Sequence, residues 1–145
     1  TEDELAGVLA HEMVHVTNQH WASAYVDNQK RRLGLTVLLT ILRANDTVFN
    51  IAGITDDLVF GLPYSRKHET ESDDIGMAMM IKAGYNPMGM ANVFRKLQES
   101  SGGKPPEWAS THPDDKNRVK RIEDRIKAMN QDFPAQRRLP WSEGA

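Results

Sequence analysis

The 145 residues are enough for one domain with a buried core, and 39% hydrophobic against 26% charged residues is a globular balance, not a disordered one. A formal net charge of −2 gives no electrostatic case for nucleic acid or for an anionic membrane surface. With no cysteine there is no disulfide, and any metal site must be built from His, Asp or Glu.

In chain order, Thr1-x-x-Glu4 has the form of a capping box. Leu5, Val8, Leu9 and Val16 then recur at helical spacing, so one helix is expected over residues 2–28. Residues 33–42 (LGLTVLLTIL) form an Arg-flanked apolar run, about half of the ~20 residues a membrane span needs, and read as a second, buried or interfacial helix. A third, irregular helix is expected over 47–60, interrupted by Gly53 and ended before Pro63. Ser65 caps a fourth that runs to Gly84, with Met77, Met79 and Met80 beside Ile75 and Ile81 as its core residues. Asn86-Pro87 restarts the chain for a helix to about residue 99. Residues 100–111 are loop by composition, and Pro113 opens a last helix with an apolar stripe of Val119, Ile122, Ile126 and Met129. Residues 134–145 read as an irregular tail. Nothing alternates with the period of a strand, so the fold is expected to be mainly α.

His11-Glu12-Met13-Val14-His15 is an HExxH motif inside a helical pattern. Four residues is slightly more than one turn, so both imidazoles share a face and can share a metal. Glu12 points beside that metal, where it can take a proton from a bound water. The competing reading, two surface histidines with an incidental glutamate, is weakened by the apolar helical setting. A catalytic zinc needs a third protein ligand. The metzincin extension would need Gly at 18 and His at 21, and Asn18 and Trp21 exclude it. The acidic helix after Ser65 is the obvious alternative source. Glu69 and Asp73 lie four apart on one face, so one can ligate zinc while the other accepts the second N–H of a ligand imidazole. Glu71 and Asp74 fall on other faces and read as solvated charge. His20 and His68 read as surface residues, and residues 116–125 as a mixed-charge face. Trp108 and Trp141 fall in loops without an assigned role.

HExxH followed by ExxxD inside PYSRKHETESDDIG, and then by AGYNP, resembles the gluzincin family of HtpX, Oma-type and type I CAAX-prenyl peptidases over residues 4–125. The closest likeness is to its soluble bacterial envelope branch, which carries a His-Pro before a final helix, as His112-Pro113 does here. The resemblance implies one zinc per chain held by His11, His15 and Glu69, with Glu12 as base and Asp73 behind a ligand. It implies a zinc endopeptidase acting on polypeptides, misfolded envelope proteins among them, in the periplasm or at the membrane through residues outside this chain. Ser72 stands where the family usually has Ala. The family also has strands before the HExxH helix, so residues 1–145 are expected to be a peptidase domain incomplete at its N-terminus. The alternative is a zinc-bearing chaperone-like or binding module with a closed, weakly active site. His112 has three readings: a helix cap, an oxyanion donor, or a plug on the fourth coordination position.

Overall fold

The computed structural model describes residues 1–52, 64–100, 112 and 117–139. The expected break at Gly53, the loop 101–111, Pro113 and Trp108 and Trp141 lie outside these residues. Five helices organise the rest: α1 (Glu2–Thr17), α2 (His20–Ile41), α3 (Arg66–Lys82), α4 (Met88–Ser100) and α5 (Arg118–Ala128). Residues 46–52 are also helical, and no strand occurs among the described residues. The chain is mainly α, as its periodicity predicts.

Local chemistry accounts for most boundaries. Thr1 Oγ1 accepts the Glu4 N–H at 3.2 Å, closing the capping box that starts α1. Ser65 Oγ accepts the His68 N–H at 3.2 Å and starts α3. Gly84 takes a φ of +80° just after α3, a conformation glycine adopts without a Cβ penalty. Asn86 Oδ1 then accepts the Met88 N–H at 2.9 Å, ahead of α4.

The single helix expected over 2–28 is two. Gln19 sits in the left-handed region at φ 51°, which ends α1 at Thr17 and starts α2 at His20. The reversal turns the His20 side chain back onto His15, with ring centroids 4.9 Å apart. Tertiary contact here overrides an unbroken helical pattern. The apolar run 33–42 is the second half of α2, not a separate helix, and it is not buried. Leu33, Val37, Leu38 and Ile41 are exposed, and His20 is the only buried residue of α2. No described helix is long and apolar enough to cross a membrane.

Helix α1 packs between α3 and α4, and α5 closes on α4. The core comprises Ala10, Met77, Met80, Met90, Ala91, Phe94, Ile122 and Ile126. The stripe on α5 is buried through Ile122 and Ile126 but leaves Met129 40% exposed, and Ile75 on α3 is also exposed. The apolar positions picked out on α1 do not face this core: Leu5, Leu9 and Val16 are exposed. Its buried face is Asp3, Gly7, Ala10, His11, Val14 and His15. Leu5, Leu9, Met13, Met79, Tyr85 and Leu139 instead line an apolar groove of about 450 Å³.

Small residues decide which face of α1 goes inward. A Cβ on Gly7 would lie 2.8 Å from Met90 Cα, and one on Gly76 would lie 3.2 Å from Ala10 C and His11 N. Only bare backbone permits these approaches. Asp3, fully buried, accepts the Asn86 N–H at 2.7 Å and the Arg137 N–H at 2.6 Å, tying the start of α1 to the α3–α4 turn and to the C-terminal segment.

Gly89 is tighter still, because a Cβ there would fall 2.3 Å from the Asp3 carbonyl carbon and oxygen. Gly89→Ala should therefore lower unfolding stability by about 3 kcal/mol, the upper end of overpacking costs. Gly34→Ala, in open space on α2, should raise it by about 0.5–1 kcal/mol. Urea unfolding of the two variants checks both signs.

Candidate metal centre

His11 and His15 leave the buried face of α1 one turn apart, exposed by 0% and 2%. Their Nε2 atoms lie 3.0 Å from each other. Glu69, in the first turn of α3, brings Oε2 to 3.4 Å from His11 Nε2 and Oε1 to 3.2 Å from His15 Nε2. His112 adds its Nδ1 at 3.1 Å from Glu69 Oε1 and 3.3 Å from His11 Nε2. One donor atom from each of the four residues falls within 4.8 Å of all the others, and all four residues are buried.

These separations allow a test of fit. Zinc bonds of about 2.0–2.1 Å to nitrogen and oxygen give a regular tetrahedron with edges of about 3.3–3.4 Å. The observed separations of 3.0–3.4 Å, two of them to Glu69 Oε1 and one to Oε2, are near that figure, and one donor atom from each residue lies within 4.8 Å of the others. The donor chemistry matches as well. Asp73 Oδ1 lies 3.0 Å from His11 Nδ1. A carboxylate can only accept, so His11 donates through Nδ1 and turns the lone pair of Nε2 into the cluster. Three imidazoles and a carboxylate converging within 4.8 Å, shielded from water, fit a divalent metal such as zinc.

Glu12 stands beside the cluster. Its carboxylate is 42% exposed, with Oε1 3.4 Å from His112 Nε2. Glu71 is turned away from the four donors and accepts from Asn18 Nδ2 at 2.8 Å. Asp74 pairs with Arg125. Neither is the freely solvated charge that its helix face suggests.

Three further departures from the sequence reading concern this centre. His20 is 3% exposed, not a surface residue, and its Nδ1 lies 3.2 Å from His15 Nδ1. His68 is half-buried, its ring stacked on His20 with centroids 4.5 Å apart. Arg118, read as part of a mixed-charge face, is 1% exposed. Its guanidinium donates to both oxygens of Asp73 at 2.6 and 2.9 Å and to Glu69 Oε2 at 3.1 Å, and lies 3.8 Å over the Phe94 ring. Arg121 donates to Asp73 Oδ2 at 2.8 Å. The Arg118/Arg121 pair at i, i+3 matches the period of the α5 stripe, a signal sequence reasoning could have used. Tyr64 packs its ring 4.0 Å from that of His15, and nothing in the sequence points to it.

The electrostatics follow from these contacts. In the metal-free protein, burial alone would raise the Glu69 carboxyl, but N–H groups turned to it by His11, His112 and His15 and the charge of Arg118 hold it far below the carboxylate range. Burial also opposes ionisation of Asp73, and His11 and Arg118 again more than offset it. Burial would depress His11, but its hydrogen bonds to Asp73 and Glu69 raise it. Burial, with His68 and His15 alongside, depresses His20. Burial raises Tyr64, reinforced by the charges of Glu12 and Glu69.

Residues 1–126 match peptidase family M48. A protein of Yersinia pestis named beta-barrel assembly-enhancing protease is 33% identical to this chain, covering 91% of it and 30% of that protein. The mitochondrial metalloendopeptidase OMA1 of Schizosaccharomyces pombe is 33% identical over 85% of the chain and 36% of its own length. The metalloprotease YcaL of Escherichia coli is 26% identical over 86% of the chain and 50% of its own length. No solved structure matches. The chain belongs to peptidase family M48. It spans about a third to a half of the length of these relatives.

The carboxyl shifts give the metal-free protein a defined pH response. Glu69 and Asp73 are held below their ordinary 4.5 and 3.8, so their contribution is complete above about pH 5 and is lost as pH falls through and below that range. His11, raised above its ordinary 6.5, contributes below that value and loses its contribution as pH rises through its folded pKa. Chelator-treated protein should therefore lose unfolding stability steeply between about pH 5 and 3. Asp73→Asn should cost on the order of 3 kcal/mol at neutral pH, because it removes the carboxylate charge that Arg118 and Arg121 both pair with, and should flatten the acid limb. Urea midpoints across pH read both effects.

Proposed function

We propose that this chain is the core of a zinc-dependent endopeptidase in which His11, His15 and Glu69 hold one zinc and Glu12 is the general base. The observation that carries this reading is the buried convergence of four donors within 4.8 Å of one another, in a chain of a peptidase family. Zinc, when bound, polarises the scissile carbonyl and acidifies the attacking water.

The chain's own residues do the rest. Asp73 accepts from His11 Nδ1–H and keeps Nε2 unprotonated for the metal. Arg118 donates to Glu69 Oε2 and offsets the charge of two neighbouring carboxylates. Glu12 takes the proton of the attacking water on its carboxylate and hands it to the departing amine. Its partial exposure suits that task, since it meets both substrate and solvent.

His112 is read as the plug. It is 4% exposed, with Nδ1 among the other donors and Nε2 turned towards Glu12. On this reading a substrate carbonyl and a water would reach the metal only once His112 withdraws. The same observation favours a second reading, a zinc-bearing chaperone-like or binding module with a weakly active site. Polypeptides are the proposed substrates. Proteins of the bacterial envelope are the proposed setting, by likeness to a beta-barrel assembly-enhancing protease, with membrane association through residues outside this chain.

Glu12→Gln in the full-length protein should keep stoichiometric zinc by elemental analysis while casein hydrolysis falls by about 10²–10⁴-fold. Cleavage at the wild-type rate would remove Glu12 from the mechanism.

His112→Ala should raise casein hydrolysis and weaken zinc retention against a chelator, because the fourth corner is vacated. A fall in kcat with zinc affinity unchanged would instead assign the imidazole to oxyanion stabilisation. No change in either would leave it a structural residue.

A further inference from the structure

The two ligand histidines are supported differently. His11 donates from Nδ1 to the carboxylate of Asp73. His15 also turns its Nε2 into the cluster, so its Nδ1 must carry the proton and needs an acceptor. The partner at that nitrogen is His20 Nδ1, 3.2 Å away, on a side chain 3% exposed. Two donors facing each other at that distance would repel, so His20 has to offer a lone pair at Nδ1 and carry its own proton on Nε2.

Two neighbours compete over that choice. Ser72 Oγ lies 3.3 Å from His20 Nδ1 and could accept from it, favouring the wrong tautomer. On the other edge, His20 Nε2 is buried without a hydrogen-bond partner among the described residues, and Glu71 Oε2 is 3.7 Å away. A carboxylate is the stronger acceptor, and a small side-chain shift brings it into range. Asn18 holds Glu71 on that side through Oε1.

Building on the zinc reading above, we infer that His20 is the positioning residue for His15: set by Glu71 in its Nε2–H form, it accepts the His15 Nδ1–H and aims Nε2 at the metal. The unit runs Asn18, Glu71, His20, His15, with an imidazole in the place that Asp73 takes behind His11. The left-handed turn at Gln19, which splits the expected long helix, is what delivers His20 to this position.

The test is zinc affinity of the full-length protein, measured by competition with a chelator, with the metal-free unfolding midpoint as the control for folding. His20→Phe keeps a flat ring but removes the acceptor, and should bind zinc about 10- to 100-fold more weakly. His20→Asn places an amide oxygen near the position of Nδ1 and should recover most of that loss. A role in packing alone predicts the reverse order, since Phe fills the site better than Asn. Should His20→Phe fail to fold, His20→Gln, whose amide reaches towards the Nε2 position, must bind more weakly than His20→Asn. Wild-type affinity in His20→Phe, or Asn no better than Phe or Gln, overturns the inference. A wild type that binds no zinc overturns the metallopeptidase reading itself.

Discussion

The close crossing of α1 over α3 and α4 is the constraint on which the rest of this structure depends. Gly76 lets the backbone of α3 approach that of α1 at Ala10 and His11, and Gly7 lets α1 approach Met90 on α4. With side chains at these points the helices would stand further apart. At the observed spacing, His11 and His15 on α1 meet Glu69 from α3 within 3.2–3.4 Å. The HExxH helix therefore buries its small residues and its histidines and leaves its larger apolar residues outside. A helix chosen only to bury hydrophobic area would face the other way.

The centre built at that crossing gathers carboxylates and imidazole lone pairs out of reach of water. Such a cluster is costly unless positive charge is supplied. Arg118 and Arg121 supply part of it from α5, and Arg118 in turn packs on Phe94 of α4. The last helix is thus part of the site through Glu69 and Asp73. A divalent cation at the four donors would supply the remainder, which links folding of the core to metal binding.

His112 links the two halves of the site. Its Nδ1 sits among the buried donors, and its Nε2 lies 3.4 Å from Glu12 Oε1. One side chain therefore touches both the candidate ligands and the proposed base.

Much of this was legible in the sequence, because it depends on contacts a few residues apart. The caps at Thr1 and Ser65, the positive φ at Gly84, the shared face of His11 and His15 and that of Glu69 and Asp73 all follow from local geometry. So does the separation of Glu69 from Glu71 onto different faces of α3. Tertiary structure decided what no local rule could. Nothing within residues 2–28 reveals that Gln19 will turn left-handed, since burying His20 against His15 is what compensates that conformation. Within residues 116–125 the helix period sets Arg118 beside the apolar stripe, but its burial follows only when Asp73 and Glu69 arrive from α3. The inward face of α1 is set in the same way: hydrophobic spacing records which residues could be buried, while the approach of the Gly76 and Met90 backbones decides which ones are.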